Sequence, residues 1–294
     1  MPLISSRPIE SAVRQGADCE PEGDPVYTIG SNPEERDRLR RQSDELRAHS
    51  EALLDHVGVE PGWSALDLGC GPRGTLELLA ERVGVTGHVT GLDFNPEHVA
   101  QARELARERG LAGVHILEGD ARHTGLPAAS FDLVHARLLL VTIPDPASVV
   151  AEMVRLARSG GWVVGDEADC STHICHPPHA AWDRLADTFV AAFRLDGADP
   201  DLGRRLAELF RAAGLVDVGV QARADLYPIG HSRRTVRLDI VQNMRAKILE
   251  RELLTERGLN DRAARAHLAD PGTLIMPCLY FLAWGRKPTD QEVR

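Results

Sequence analysis

The sequence predicts an α/β fold with a doubly wound, mostly parallel sheet of seven strands. Five short apolar segments alternate with helical segments between residues 64 and 166. This rhythm is typical of parallel strands joined by right-handed helical crossovers. A glycine-rich turn follows the first apolar segment, where such folds place a ligand. Two late apolar segments, separated by mostly helical sequence, complete the seven strands.

Composition and charge limit the class of protein. The chain has 294 residues, of which 43% are hydrophobic, and a formal net charge of −10. An acidic chain is poorly suited to nucleic acid, because such binding depends on Lys and Arg contacts with phosphates. No apolar run approaches the roughly 20 residues that span a bilayer, and the first 20 residues lack the pattern of a secretory signal. We expect a cytoplasmic protein without nucleic-acid or membrane partners.

The amino-terminal part is predicted to precede the sheet. Residues 1–25 are rich in Pro, Gly, Ser and charge, which predicts a mobile arm. Residues 26–58 are predicted to form a helical cap, with one helix over residues 32–56. Asn32 can cap that helix, Pro33 suits its first turn and Gly58 ends it.

Residues 59–230 are predicted to form the α/β core. The predicted strands of this core cover residues 64–68, 88–93, 114–118, 131–136, 162–166 and 216–227. The predicted helices cover residues 75–83, 96–109, 146–158, 177–194 and 201–213. The first five strands each lead into a helix or loop that returns the chain to the same edge, so parallel pairing is expected.

The carboxyl-terminal part is predicted to carry a lid. Residues 231–271 form a helical insert with helices over 234–257 and 261–268, and residues 272–294 contain the last strand, 273–284, and a tail. An insert of about 40 residues between two strands of one sheet is suited to covering a site. Its apolar face packs on the sheet or on a second subunit, so a homo-oligomer is an open alternative.

The glycine turn allows two cofactor classes. Gly69, Gly71 and Gly74 satisfy G-x-G-x-x-G between a strand and a helix, and Asp93 ends the next strand about 20 residues later. In that position a carboxylate can accept from a ribose diol. An NAD(P)-dependent oxidoreductase is therefore one alternative.

Three features favour S-adenosylmethionine as the cofactor. Asp67 lies two residues before Gly69, where a carboxylate repels a pyrophosphate but neutralises an ammonium group. Asp120 ends the third strand, where an acid can accept from the exocyclic amine of adenine. The chain also lacks the Tyr-x-x-x-Lys pair of short-chain hydride-transfer enzymes.

Five segments resemble class I S-adenosylmethionine-dependent methyltransferases of the ubiquinone/menaquinone-biosynthesis type. They occur in the order of that family at residues 66–71 (LDLGCG), 91–96 (GLDFNP), 119–121 (GDA), 131–146 and 156–162 (LARSGGW). Residues 27–30 (YTIG), with Glu35, Arg36, Leu39 and Gln42, resemble the leader helix of a bacterial secondary-metabolite branch.

The resemblance implies methyl transfer from S-adenosylmethionine to an oxygen, nitrogen or carbon of a small molecule. It implies that Asp93 holds the ribose hydroxyls, that Phe94 packs on the adenine and that Asp120 and the Ala121 amide bind the adenine edge. The full set of implied cofactor residues is Tyr27, Gln42, Asp67, Gly69, Cys70, Gly71, Asp93, Phe94, Asp120, Ala121 and Arg137. A methyltransferase-fold protein that binds this cofactor without transferring methyl remains an alternative.

Candidate bases follow the fourth and fifth strands. A protonated acceptor needs a base, and His or Asp side chains near the ends of these strands are suited to it. The candidates are His135, Asp169, His173 and His176. His173, His176 and His179 recur every three residues, which suggests a metal site, but Pro177 and Pro178 interrupt any helix that would align them. We expect no metal.

Overall fold

A computed structural model of the chain describes Ile29 and residues 33–292. Within these residues the strands are β1 (Ser64–Leu68), β2 (His88–Asp93), β3 (Val114–Glu118), β4 (Phe131–Arg137), β5 (Ala157–Asp169), β6 (Ile174–His176), β7 (Val216–Ala224), β8 (Leu274–Met276) and β9 (Leu279–Arg286). The helices are α1 (Pro33–Glu45), α2 (Arg47–Val57), α3 (Leu76–Val83), α4 (Pro96–Glu108), α5 (Pro146–Leu156), α6 (Ala180–Leu195), α7 (Leu206–Ala212), α8 (Val236–Asn243), α9 (Arg245–Glu250) and α10 (Arg262–Leu268). The predicted arm, residues 1–25, lies outside the described residues.

Seven of these strands form one sheet in the order β3-β2-β1-β4-β5-β9-β7. The five strands β1 to β5 pair in parallel, whereas β9 runs antiparallel to both β5 and β7. The predicted fold class, a doubly wound and mostly parallel seven-stranded sheet, is confirmed. The chain order reverses at β1 and β4, which is the point where open α/β sheets bind ligands.

The central strands are buried and the edge strand is not. Every residue of β4 except the last is buried, and β1 is buried from its second residue onward. Such continuous burial is expected for strands covered by helices on both faces. By contrast, β7 is mostly half-exposed or exposed along its length, as suits a strand at the edge of the sheet.

Several predicted elements differ from the structure. The predicted helix over 32–56 is two helices that meet at Leu46, and the predicted helix over 234–257 is broken at Met244 and ends at Glu250. The predicted last strand is also two strands. Its first part, β8, pairs with β6 in a separate two-stranded sheet, and only β9 joins the main sheet. Pro277 lies between them, and proline lacks the N–H that a continuous ladder needs.

The amino-terminal helices and the helices after β7 meet over the sheet. Helix α2 packs on β5 and β9, and α1 contacts both α2 and α8. The side chain of Asn243 in α8 donates to Glu35 in α1 over 2.9 Å. Two segments that are remote in the sequence therefore cover the same region of the sheet. Among the described residues, no helix is long and apolar enough to cross a membrane.

Candidate functional site

A cavity of about 580 Å³ lies at the carboxyl ends of the parallel strands. Its wall includes Asp67 from β1, Asp93 from β2, Arg137 from β4 and Ala168 from β5. Tyr280 also lines it, because β9 is antiparallel and so begins at this edge. The cavity has the size of a site that encloses a cofactor-sized organic ligand.

The turn after β1 exposes its backbone to this cavity. Gly71 has a φ of +59°, and a Cβ added there would meet nothing within 4 Å. At Gly74, with a φ of +52°, a Cβ would lie 2.5 Å from a carboxylate oxygen of Asp67 and from the carbonyl oxygen of Cys70. The turn therefore needs glycine at both positions, for a left-handed backbone and for close packing. The open space at Gly71 lets a ligand approach the main chain.

Asp93 is fixed by the turns on both sides of it. Its Oδ2 accepts from the Gly71 amide over 2.8 Å, and its Oδ1 accepts from the Asn95 amide over 2.9 Å. His98 Nδ1 lies 3.4 Å from Oδ1. A carboxylate has about four acceptor sites, so lone pairs remain for ligand hydroxyl groups.

Asp67 is a buried carboxylate held by two donors. Its Oδ1 lies 2.8 Å from His135 Nδ1, and its Oδ2 accepts from the Thr75 amide over 2.9 Å. Burial acts to raise the pKa of Asp67, but His135 and the Thr75 amide outweigh it, so the pKa is lowered. Asp67 therefore lines the cavity as an anion at neutral pH.

Asp120 lines the cavity but already has a cationic partner. It accepts from the Arg122 amide over 2.8 Å and from the Arg122 guanidinium over 2.7 Å. Burial acts to raise the pKa of Asp120, but the contacts with Arg122 outweigh it, so the pKa is lowered. Its neighbour Ala121 is buried and also lines the cavity.

Gln42 and Arg137, two further predicted cofactor residues, line the cavity and also hydrogen-bond to other groups of the protein. The side-chain oxygen of Gln42 accepts from Arg38 over 2.7 Å, and Arg137 donates to Ser50 and to the Gly74 carbonyl. Burial lowers the pKa of Arg137. The structure brings ten of the predicted residues to the cavity wall: Gln42, Asp67, Gly69, Cys70, Gly71, Asp93, Phe94, Asp120, Ala121 and Arg137. Tyr27 lies outside the described residues.

The structure corrects the placement of His135. This residue is wholly buried, its Nδ1 is occupied by Asp67, and it does not line the cavity. Its position in the middle of the sheet follows from β4 being a central strand. His135 therefore orients Asp67 and is not placed to take a proton from a ligand.

The candidates after β5 are also displaced from the cavity wall. Asp169 is buried and paired with Arg204, with Nη2 and Oδ1 2.7 Å apart. His173 packs edge-on against Trp182, and burial lowers its pKa. His176 is exposed in β6. The reason is that β5 continues to Asp169, after which the chain turns away into the small β6–β8 sheet.

In the part of the chain that the structure describes, no group of three or more His, Cys, Asp or Glu side chains is arranged to hold a metal ion. His179 stacks on His267 instead, with ring centroids 4.7 Å apart.

The sequence interpretation missed one wall of the cavity. Two phenylalanines of α6, Phe189 and Phe193, line it together with Arg233 and Arg237. The two arginines are four residues apart, and this spacing places side chains on one face when a helix contains them. That spacing was the available signal, but the surrounding arginines gave no reason to single out this pair.

Residues 66–165 match the model of a family described as a methyltransferase domain. The chain is 40% identical over 189 residues to nocamycin O-methyltransferase of Saccharothrix syringae, covering 59% of this chain and 66% of that protein. It is 31% identical over 184 residues to demethylmenaquinone methyltransferase of Geobacillus sp. strain WCH70, covering 58% of this chain and 79% of that protein.

Another relative is matched over a smaller share of its length. The chain is 39% identical over 127 residues to a 37.1 kDa protein of a Streptomyces fradiae transposon, covering 43% of this chain. The match covers 36% of that protein. The chain therefore spans less than two thirds of the length of this relative, and the same holds for the nocamycin enzyme, at 66%.

One solved structure shows the same fold. Phosphoethanolamine N-methyltransferase 2 of Haemonchus contortus, solved in complex with S-adenosyl-L-methionine, superposes with a TM-score of 0.54 at 19% identity. The match covers 82% of this chain and 53% of that one.

Proposed function

This chain belongs to the class I S-adenosylmethionine-dependent methyltransferases, and from that premise we propose that it methylates an oxygen, nitrogen or carbon of a small molecule. We further propose that the acceptor is a secondary metabolite. The similarity to nocamycin O-methyltransferase supports this second step.

One observation carries the proposal. Three carboxylates, Asp67, Asp93 and Asp120, line a single cavity at the ends of the adjacent strands β1, β2 and β3. The donor set of the cofactor matches them, since it offers an ammonium group, two ribose hydroxyls and an adenine amine. The open backbone at Gly71 gives room for close approach of the chain, so the residues present fit this cofactor.

We assign the cofactor contacts residue by residue. Asp67 and the turn at Gly69 and Gly71 bind the methionyl part, and Asp93 accepts from the ribose hydroxyls. Phe94 packs on the adenine, and Asp120 with the Ala121 amide binds the adenine edge. Arg137 joins the cap to the turn, because it donates to Ser50 and to the Gly74 carbonyl, whereas Gln42 joins the cap to Arg233.

The chemistry needs alignment more than acid–base assistance. S-adenosylmethionine, when bound, supplies a methyl group on a sulfonium centre, which is already activated towards displacement. The chain's apolar wall, including Phe189 and Phe193, excludes water and fixes the acceptor's orientation. None of the four predicted bases lines the cavity, which favours an acceptor that ionises in solution over one that needs a protein base.

We propose that the covering segments act as a cap and a lid. The cap is residues 26–58, the core 59–230, the lid 231–271 and the last strand with its tail 272–294. Contacts between the cap and the lid support this division: Arg233 Nη1 donates to Gln42 over 3.4 Å, and Ser232 donates to Glu45. A ligand enclosed beneath both segments is shielded from solvent.

Calorimetric titration of cofactor-free protein tests the proposal. We expect micromolar binding of S-adenosylmethionine and S-adenosylhomocysteine and no binding of NADPH. Binding of NADPH alone would contradict the cofactor assignment. A protein that binds both adenosyl ligands is then incubated with labelled S-adenosylmethionine and a library of aromatic and polyketide acids, phenols and amines. Cofactor binding without label transfer to any acceptor would favour the alternative in which no methyl is transferred.

A further inference from the structure

Arg237 is a buried cation in which one guanidinium nitrogen has no hydrogen-bond partner. Its side chain is almost wholly buried, with 3% exposed, and it lines the cavity. Its Nε donates to the Pro277 carbonyl over 2.7 Å, its Nη2 donates to the Cys170 carbonyl, and its Nη1 has no hydrogen-bond partner. Among the described residues it has no ion pair. A buried charge without a counter-ion is costly to the fold.

Arg233 lies four residues earlier, just before α8, and lines the same cavity. It is equally buried, and its guanidinium lies over the ring of Tyr280 at 5.5 Å from the ring centroid. Its Nε is 3.8 Å from Glu45, so its charge already has a nearby carboxylate. Arg233 therefore adds positive potential to the region, and Arg237 offers the free donor.

The three carboxylates of the cavity wall and Arg237 lie at different positions across the sheet. The acidic residues Asp67, Asp93 and Asp120 lie on β1 and beyond, whereas Arg237 contacts the segments next to β5 and β9. In the sheet order, β9 lies three strand positions from β1, which is about 14 Å at the usual spacing between strands. The part of the cavity wall around Arg233 and Arg237, here called the cationic end, thus lies apart from the three carboxylates.

We propose that the cationic end is an acceptor subsite and that Arg237, with support from Arg233, binds a carboxylate of the acceptor. This inference rests on the proposed methyl transfer. A guanidinium presents its donors in a plane that matches a carboxylate, which a neutral hydroxyl or amide does not use as well. Next to Arg237, Phe189 lies with its ring centroid 5.2 Å from the guanidinium carbon. The acceptor class is therefore an aromatic or otherwise apolar carboxylic acid.

A purely structural role explains only part of this arrangement. The two bonds to carbonyl groups hold Arg237 in place, joining the lid to the segments after β5 and before β9. They do not account for the unpartnered Nη1 of a residue that lines the cavity. The structural role affects folding, whereas the subsite predicts a preference for a carboxylate over its neutral amide. That preference is the quantity to measure.

The experiment compares matched acids and amides on protein saturated with S-adenosylhomocysteine. The probes are benzoate with benzamide and 2-naphthoate with 2-naphthamide, titrated by calorimetry at low ionic strength. We expect at least one acid to bind about tenfold more tightly than its amide, as suits a charge-assisted hydrogen bond. If no acid is preferred to its amide, the proposal is overturned.

Variants locate the preference. Arg237→Gln is expected to abolish the acid-to-amide ratio while the affinity for S-adenosylhomocysteine stays within about threefold. Arg245→Gln is the matched control, because it removes the same charge from α9 at a residue outside the cavity wall, and it should keep the ratio. If Arg237→Gln does not fold, Arg233→Gln is measured instead, and the expected result is a ratio reduced severalfold.

The outcomes separate the two proposals. Wild-type protein that fails to bind S-adenosylhomocysteine contradicts the proposed function itself. Wild-type protein that binds it but does not distinguish acids from amides contradicts the subsite alone. A preference that persists in both Arg237→Gln and Arg233→Gln also contradicts the subsite.

Discussion

Asp93 serves both the shape of the glycine turn and the surface offered to a ligand. One oxygen holds the Gly71 amide and the other holds the Asn95 amide, so the carboxylate cannot rotate freely. Asn95 in turn caps α4 by accepting from the Glu97 amide over 2.9 Å. The position of a side chain on the cavity wall is thus tied to the start of a helix.

Replacing Asp93 tests this double role. Asp93→Ala should weaken binding of S-adenosylhomocysteine about 100-fold, since a charge-assisted contact and the anchor of the turn are lost together, roughly 2.7 kcal/mol. Asp93→Asn keeps an acceptor for Gly71 and should lose less, about tenfold. Calorimetry measures both, with the exposed Asp290→Ala as control. An unchanged affinity in Asp93→Ala would show that the ribose site lies elsewhere.

His49 is a buried histidine between two carboxylates. Its Nε2 lies 2.6 Å from Asp225, its Nδ1 lies 3.3 Å from Asp166, and its ring meets the edge of Tyr280. Burial acts to lower the pKa of His49, but the two carboxylates outweigh it, so the pKa is raised. The protonated form is therefore favoured in the folded state more than in the unfolded state.

Stability should depend on this protonation. Because the pKa is raised on folding, the contribution of His49 is complete below about pH 6.5 and is lost as the pH rises through the higher folded value. The melting temperature of the wild type should exceed that of His49→Gln by the largest margin at pH 6. Each kcal/mol of unfolding free energy that the substitution removes corresponds to on the order of 2–4 °C, and the difference should shrink by pH 9. The exposed His88→Gln should show no such dependence. A gap that widens with pH would refute the assignment.

Local motifs predicted the cofactor end of the cavity better than its other end. Asp67, Gly71 and Asp93 lie beside strand ends that short sequence patterns mark, so their convergence follows from parallel pairing. The sequence indicates neither the place of His173 away from the cavity wall nor that of Arg237 on it, for the opposite reason. Their positions depend on where the chain goes after β5 and β7, which contacts between distant segments decide.

Glu167 organises the loop that follows β4. Its carboxyl group accepts from the amides of Leu139, Leu140 and Val141. Burial raises the pKa of Glu167 to about 8, even though these amides act in the opposite direction. The loop carries Leu138 at a φ of +51°, an unfavourable conformation for a branched side chain, so an anchor is needed there.

The protonation state of Glu167 predicts which substitution the loop tolerates. With a pKa of about 8 the group is largely neutral at pH 7, so Glu167→Gln should lose only about 1 kcal/mol, because its amide oxygen still accepts from Leu139 and Leu140 and only the Val141 amide loses its acceptor. Glu167→Ala leaves three amides without their acceptor and should lose about 2–4 kcal/mol. Urea unfolding at pH 7 measures both values. Equal losses in the two variants would contradict a neutral Glu167.

Among the elements, the strands with clear flanking turns were predicted best. The first three strands have the predicted bounds, and β4 is one residue longer. The end of α9 has no such signal, because the chain turns there at Glu252, a non-glycine residue with a φ of +54°. The pairing of β6 with β8 joins segments about 100 residues apart and has no local pattern.

At the scale of the whole molecule, the cavity is covered by contacts between α1 and the segments that follow β7. Asn243 reaches Glu35, Arg233 reaches Gln42, and these contacts join the cap to the lid over the sheet. A ligand that binds beneath them contacts the folded state only. Binding is then expected to stabilise the entire fold and not a single segment.

Thermal unfolding measures this coupling. S-adenosylhomocysteine at 100 times its Kd should add about 2.7 kcal/mol of stability, which corresponds to a rise in Tm on the order of 5–11 °C. NADPH at the same concentration should give no rise, and Asp93→Ala should lose most of the rise at the wild-type ligand concentration. A rise confined to one of two transitions would show that cap and core unfold separately.

The lid leaves the sheet and returns to it at one place. Ala224, the last residue of β7, is paired with Leu279, the first residue of β9. The segment between them, residues 225–278, begins and ends beside this one pair of residues. Its length and sequence can therefore change without shifting the register of the seven strands. The fold thus separates the seven-stranded sheet from a segment, residues 225–278, that can vary independently of it. Under the proposed function, changes within residues 225–278 are expected to alter the preference for the acceptor while the strands beside Asp67 and Asp93 keep their register.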